Sequence, residues 1–463
     1  MKISRILVFS GLGILVLIIL IAGYFKFFSG LKPALGPVKG DIATIIDAHE
    51  KQDNNSDSDK PINETKFPLK LSVGTKISIF ANNVANARLM AIDSEGILYL
   101  SQTKSGRVVA LPDRDNDGQV DEIIEIISGL NQPHGLAFSF VKFSPLTEAS
   151  DYKIALLPAP DKLPDPEAFK NTEPITLKEY LYIAETDRII RLEKIGSTSF
   201  GQPEVIVNNL PIGGRHSTRS LAIAGDKLYV SIGSSCNVCN ESNKFRAAIW
   251  QYDLDGKNGK LYASGLRNSV GLKFNPNSGK LWATENGRDL LGDDTPPDEI
   301  NIIEEGGNYG WPTCYGHNAH DTDFDKNTYI RQPCLEPFEK PSHINLPAHV
   351  APLGLEFYQG SMFPELADSL LVALHGSWNR SIPVGYKVLN IKLKGESVIG
   401  IEDFISGWLV EEKTAGITNY SSLGRPVDVI SGSQGEIYIS DDKAGVVYLV
   451  TKTQKSQKAQ KPQ

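Results

Sequence analysis

Between Thr284 and Glu299 the chain reads TENGRDLLGDDTPPDE, with six carboxylates (Glu285, Asp289, Asp293, Asp294, Asp298 and Glu299) and one cation, Arg288. Like charges crowded together repel, so such a run needs solvent, a cation or a polar ligand. The flanks, GLRNSVGLKFNPNSGKLWA before it and INIIEEGGNYGWP after it, read as strands and turns. The acids therefore belong to an ordered loop, and an ordered loop of carboxylates and turn carbonyls is a hard-oxygen site suited to calcium, with Asp289, Asp293 and Asp294 as candidate ligands. A second acidic stretch, DRDNDGQVDE, sets Asp113, Asp115 and Asp117 at alternate positions before Gly118. It resembles the front half of an EF-hand loop, but Ile124 stands where the bidentate Glu belongs and no helices flank it, so calcium there competes with a plain acidic turn.

Four other turns concentrate cations and imidazoles. GGRHSTRS carries His216 and Arg219 just before a strand; GLRNSVGL carries Arg267 and Asn268; ALHGSWNRS carries His375, Trp378 and Arg380; GRPVD carries Arg425 and Asp428. A lone His is more often structural than catalytic. An imidazole set among Gly213, Gly214, Arg215 and Arg219, however, is held neutral by the nearby cations, as a general base requires. The bland reading of the other turns is a turn Asn beside solvated arginines. Four such centres at equivalent repeat positions point instead to an anionic ligand, which the arginine fork binds in bidentate fashion. The four cysteines pair by spacing as 236–239 and 314–334; sequence alone does not fix that connectivity. A zinc site at SCNVC is the rival, and it lacks a second closely spaced pair.

The elements that must position these turns follow from an internal repeat: a short apolar strand, a Gly or Asp turn, then further strands rich in aromatic and β-branched residues. Copies begin at Leu89, His134 (continuing at Tyr180), Ser220, Val270, Leu353 (continuing at Ser369) and Pro426. Many short strands with regular turn signals and almost no helical periodicity give an all-β fold. Radial repetition of four-stranded sheets is a β-propeller, read here as six blades over residues 67–452 with LKLSVGTKISIFAN closing the ring beside the last blade. Residues 141–178, 305–349 and 395–424 read as insertions. Upstream, residues 1–28 read as an uncleaved signal anchor. Lys2 and Arg5 precede an apolar run from Ile6 to Phe25, long enough to cross a hydrocarbon core of about 30 Å, with no A-x-A site after it. This expectation places the remainder outside the cytoplasm, periplasmic or at the cell surface, where disulfides persist. Residues 29–66 read as a flexible linker and 453–463 as a disordered tail. A net charge of −8 over 463 residues, with no basic stripe, argues against a nucleic-acid partner. No G-x-S-x-G, Walker A, H-E-x-x-H or Rossmann pattern occurs.

HSTRSLAI…KLYVSIGSSCNVCNE, YASGLRNSVGL, ENGRDLLGDDTPPDEIN, GGNYGWP, HGSWNRS and GRPVDV together resemble the glucose/sorbosone dehydrogenase family, over roughly Leu69 to Val450. The resemblance implies a six-bladed propeller that uses pyrroloquinoline quinone (PQQ) and calcium to oxidise an aldose or a related, sorbosone-like sugar aldehyde and passes electrons to a quinone or cytochrome c. It implies that His216 is the base that takes the proton of the sugar hydroxyl, that Arg267 and Asn268 touch the quinone, that Gly287 offers its carbonyl to calcium with Arg288 following it, and that Arg425 clamps a cofactor carboxylate. His375 and Arg380 lie where soluble glucose dehydrogenases place a Lys. Three features depart from those enzymes: Arg288 replaces a proline, GRPVD has one arginine where they have two, and their early Gln has no clear match, Gln132 and His134 being nearest. The departures fit the sorbosone-like branch better. Two other readings compete: a calcium-dependent lactonase-like propeller hydrolase, and a non-catalytic surface-binding propeller.

Overall fold

The computed structural model describes residues 60–143, 176–337, 339–414 and 417–453. Strands such as LYLSQ, PLGLEF and SLLVAL are buried along their whole length. Such continuous apolar runs are what a sheet covered on both faces requires, and here each sheet is covered by the sheets beside it. Six sheets form the blades. Their innermost strands are Ala87–Ile92, Leu136–Phe143, Arg219–Ala224, Ser269–Phe274, Pro352–Phe357 and Pro426–Ser431, and each continues outward as an antiparallel meander.

The ring closes as expected. Thr75–Ala81 pairs antiparallel with Val446–Lys452, so the first full strand of the propeller is the outer strand of the sixth blade. Ile62–Asn63 runs parallel beside it and Lys70–Leu71 edges the fifth blade. Folded chain thus reaches back to Ile62, inside the stretch read as linker. The anchor over 1–28 and the tail beyond Thr453 lie outside the described residues. Among the described residues no helix is long and apolar enough to cross a membrane.

Two of the three expected insertions are partly blade. Ser397–Ser406 is the outer strand of the fifth blade, followed by the hairpin Leu409–Thr414 and Ile417–Ser422. Ile344–Leu346 is the outer strand of the fourth blade, and the preceding lobe is closed by the Cys314–Cys334 disulfide. The periodicity hid these edge strands because they are short or half exposed. Within 141–178, strands continue to Phe143 and resume at Thr176, and the residues between lie outside the described ones.

Close approach near the axis explains the glycine of the repeat. A Cβ on Gly135 would stand 2.7 Å from the Leu221 nitrogen and 2.8 Å from the Arg219 oxygen, both backbone atoms of the next blade. At Gly271 it would fall on the Leu353 carbonyl, and at Gly354 on the Asp428 carboxylate. Backbone cannot yield as a flexible side chain can. Gly271→Ala is therefore expected to destabilise the propeller by at least about 1–3 kcal/mol, read as a lower thermal midpoint; an unchanged midpoint would contradict this packing. On the axis itself Leu89, Val270, Leu353 and Val427 form a buried apolar plug. Beyond it, toward the far end of the innermost strands, lies a cavity of about 460 Å³ lined by Lys273, Glu356, Asp428 and Ser431 among others.

Candidate functional site

All six innermost strands run the same way along the axis, so the residues at their starts gather on one face. The loops joining second to third strands reach that same face, because two strands up and down return the chain to where it began. Arg88, His134, His216, Asn268 and Arg425 precede or begin innermost strands. The SCNVC, acidic and HGSWNRS turns are second-to-third loops of the third, fourth and fifth blades, and Asp442 lies in that of the sixth. The cation- and imidazole-bearing turns and the TENGRDLLGDDTPPDE loop thus converge on one end of the channel, above the apolar plug.

His216 is the best-defined member. Its Nδ1 lies 3.0 Å from both the carbonyl oxygen and the Oγ of Ser234. The carbonyl only accepts, so Nδ1 carries the proton and Nε2 keeps its lone pair; Nε2 has no hydrogen-bond partner among the described residues. Burial first, and the Arg267 guanidinium second, push the imidazole down to about 3. It is therefore neutral at physiological pH. A Cβ on Gly233 would meet the His216 Cβ at 2.6 Å and the Asn268 Oδ1 at 2.8 Å, so both side chains pack directly against this glycine, which leaves no room for a side chain of its own.

Arg267 is buried beneath them. Its Nε donates to the Asn237 carbonyl at 2.8 Å, Nη1 to the Asn286 carbonyl at 3.0 Å, and Nη2 to Asn237 Oδ1 at 2.9 Å and Asp289 Oδ2 at 3.0 Å. Asn379 donates to the other Asp289 oxygen at 3.2 Å, which ties the fifth-blade loop to the same carboxylate. Across the mouth a second group forms. His375 Nε2 lies 3.0 Å from Asp442 Oδ1, whose partner oxygen takes Arg88 Nη1 at 2.9 Å, and Arg88 Nη2 is 3.3 Å from His134 Nε2. Arg425 donates from Nε to the His375 carbonyl at 2.9 Å and from Nη2 to Gly376, with its guanidinium over the Tyr386 ring. Sequence reasoning missed Arg88, Asn237 and Asp442. Arg88 stands one residue into its innermost strand, so aligning the copies by strand start would have found it.

Several expectations need correction. Arg219 does not reach the mouth: it is fully buried and spends its fork on the carbonyls of Pro211, His216 and Thr218. It shapes the His216 loop rather than meeting a ligand. Arg380 is also spent on the acidic loop, at the Asp293 carbonyl and, at 3.1 Å, Asp294 Oδ1. The acidic loop is not a carboxylate cage. Asp289 pairs with Arg267, Asp293 accepts the Ser381 amide at 3.0 Å, and Asp294 pairs with Arg380, so the three face different partners. Asp298 takes the amides of Gly287 at 2.8 Å and Ala351 at 2.7 Å, and burial raises it to about 7. Arg288 turns its side chain to Asp321 at 2.6 Å. What the loop does present is backbone: the carbonyls of Gly287 and Arg288 accept no hydrogen bond among the described residues.

Asp113, Asp115 and Asp117 lie elsewhere, in a third-to-fourth-strand loop on the opposite face. Each offers a carboxylate oxygen within 4.8 Å of the others; Asp113 accepts the amides of Asp117 and Gly118, Asp115 that of Asp117, and Asp117 that of Gln119. The cysteines form two disulfides, 236–239 and 314–334, which removes the zinc alternative.

A family model described as TrAA12-like matches residues 174–453. An uncharacterized protein of Borreliella burgdorferi is 41% identical over 241 residues, covering 51% of this chain and 60% of its own. A pyrroloquinoline quinone-dependent pyranose dehydrogenase of Coprinopsis cinerea is 26% identical over 294 residues, covering 51% of this chain and 39% of its own. The chain thus matches less than two thirds of either relative's length. Among solved structures, the holo form of the pyranose dehydrogenase PQQ domain from Coprinopsis cinerea superposes with a TM-score of 0.62 at 19% identity, over 84% of this chain and 100% of that one. The calcium structure of a Trichoderma reesei family AA12 enzyme gives 0.62 at 20%, over 85% and 100%. At these identities the structural likeness concerns the six-bladed propeller fold.

Proposed function

Because the chain belongs to the TrAA12-like family, we propose that it is a PQQ- and calcium-dependent dehydrogenase that oxidises an aldose or a related, sorbosone-like sugar aldehyde. One observation carries the reading: a neutral imidazole, His216, fixed by Ser234 and with Nε2 unpartnered, set beside Asn268 and a buried arginine at the mouth of the channel. When bound, PQQ supplies a hydride-accepting quinone and calcium polarises it. The residues fit such a group. The unengaged carbonyls of Gly287 and Arg288 are hard ligands for a cation. Arg88, Arg425 and His375 set positive or hydrogen-bonding groups on the opposite side, where a carboxylated cofactor needs them. Arg267 and Asn268 floor the site between. His216 Nε2 takes the proton of the sugar hydroxyl as the carbon-bound hydrogen departs with its electron pair. The hydrolase reading loses its support, because the carboxylates it requires do not converge.

Apo-protein supplied with PQQ and calcium is expected to reduce an artificial electron acceptor in the presence of at least one of a panel of aldoses. Loss of that activity on chelation, and its return with calcium, are part of the expectation. Absence of any turnover together with absence of PQQ binding would leave a surface-binding propeller.

We also propose that Ile6–Phe25 anchors the propeller outside the cytoplasm, where electrons pass to a quinone or cytochrome c. The apolar run and the two disulfides support this reading. The full chain is expected in the membrane fraction and a chain starting at Lys60 in the soluble one; full-length protein in the soluble fraction would refute the anchor.

A further inference from the structure

The motif SSCNVCNE is not absorbed by the chemistry above, yet it touches the base, the buried arginine and the acidic loop. The Cys236–Cys239 disulfide closes a ring of sequence separation 3, against 20 for Cys314–Cys334. So short a ring restrains the unfolded chain far less than the longer one does, so its main effect is to fix local backbone geometry. Inside the ring stands Asn237. Its carbonyl takes Arg267 Nε at 2.8 Å; its Oδ1 takes Arg267 Nη2 at 2.9 Å and the Asp289 amide at 2.8 Å; its Nδ2 donates to the Asp289 carbonyl at 3.0 Å. One side chain thus fastens the buried arginine of the fourth blade to the loop that bears Gly287 and Arg288. The ring also reaches the base. Ser234 Oγ donates to the Cys236 carbonyl at 2.7 Å while lying 3.0 Å from His216 Nδ1. The Ser234 amide donates to the Arg267 carbonyl at 2.7 Å.

We infer that the Cys236–Cys239 ring is a positioning device of the active site, with Asn237 as its positioning residue, holding Arg267 and the Gly287–Asp289 segment in fixed relation to His216. The inference rests on the dehydrogenase reading and adds to it the element that sets the distance between base and cofactor floor. Neither an exposed staple nor a zinc loop requires an asparagine whose oxygen is shared by an arginine and a neighbouring loop amide.

The test is titration of PQQ into apo-protein with calcium, followed by PQQ fluorescence and needing no turnover. Asn237→Ala is expected to weaken binding about ten- to a hundredfold, the effect of losing a hydrogen bond to a charged group. Asn237→Asp keeps an acceptor facing Arg267 and is expected to recover most of that affinity. Cys236→Ser combined with Cys239→Ser should match Asn237→Ala. Should those variants fold poorly, wild-type protein provides the same reading: a dithiol reduces the half-buried Cys236–Cys239 bond to two thiols while closing its own disulfide, and PQQ is titrated after its removal. Native PQQ affinity in the alanine variant, the double serine variant and the reduced protein, with only their melting temperatures lowered, would make the ring a staple and overturn the inference alone. Failure of the wild-type protein to bind PQQ would overturn the dehydrogenase reading and the inference with it.

Discussion

His216→Ala is expected to lower kcat by about 10²–10⁴-fold, the range for loss of a general base, while the protein folds and still binds PQQ and calcium. The side chain is half-buried at the mouth and supports no other element: its hydrogen bonds run only to Ser234. The geometry also sets the pH dependence. With the imidazole pushed down to about 3 by burial and Arg267, the group charges only well below neutrality. Lowering the pH removes the base only as it nears that value, so kcat/KM should show no ionisation of His216 from about pH 5 to 8. The sequence alone placed an imidazole there without saying how deep its cationic setting would drive it. His216→Gln should fail as well, since an amide cannot take the proton. Two other imidazoles line the same mouth. His134 is fully buried with Nε2 against Arg88, and His375 holds its Nε2 on Asp442. If His216→Ala keeps near-normal turnover while His375→Ala abolishes it without loss of PQQ, the base belongs to the fifth blade.

The propeller was legible because its signal is repeated: each blade restates a strand, a turn and a strand, and the glycines at 135, 271 and 354 recur where neighbouring backbones nearly touch. The site was legible only as far as residue type and turn position carry. Arg219, Arg267 and Arg425 have similar glycine- and serine-rich surroundings in sequence, yet Arg219 is consumed by the carbonyls of its own loop. Which way a side chain leaves the start of a strand depends on the pleat, and a one-residue difference reverses it. The acidic loop misled for a related reason. Six carboxylates in sixteen residues look like one cation site, but each finds its own partner. Glu285 takes the Asn268 amide and Ser269 Oγ, Asp298 takes two amides, Glu299 takes the Gly316 amide and Asn301, and Asp289 takes Arg267. Their charge is dispersed over backbone dipoles, which a linear reading of charge cannot foresee. The loop's contribution to a cation is then its free carbonyls, and no residue type advertises those.

Arg267→Ala is expected to be the most damaging substitution outside the base. The guanidinium is 4% exposed and satisfies two carbonyls, an amide oxygen and a carboxylate. Removing it strands the Asp289 carboxylate, whose remaining contacts are Asn379 and Arg215 at 3.9 Å. Losing one partner of a buried pair costs about 3–5 kcal/mol, because the charge left behind cannot be rehydrated in place. That cost can appear in two ways. If the loop from Asn286 to Asp294 stays packed, guanidinium unfolding should show the full loss. If the loop loosens instead, Asp289 reaches solvent, global stability falls by less, and the Gly287 and Arg288 carbonyls lose their fixed place; the calcium concentration needed for PQQ binding then rises. The two readouts should compensate, so both are measured on the same preparation. Arg267→Lys separates charge from shape. It keeps the cation beside Asp289 but cannot reach two carbonyls and an amide oxygen at once, so it should restore stability in part and the calcium requirement hardly at all. Native stability together with a native calcium requirement in Arg267→Ala would show that the fourth-blade arginine holds neither the loop nor the site.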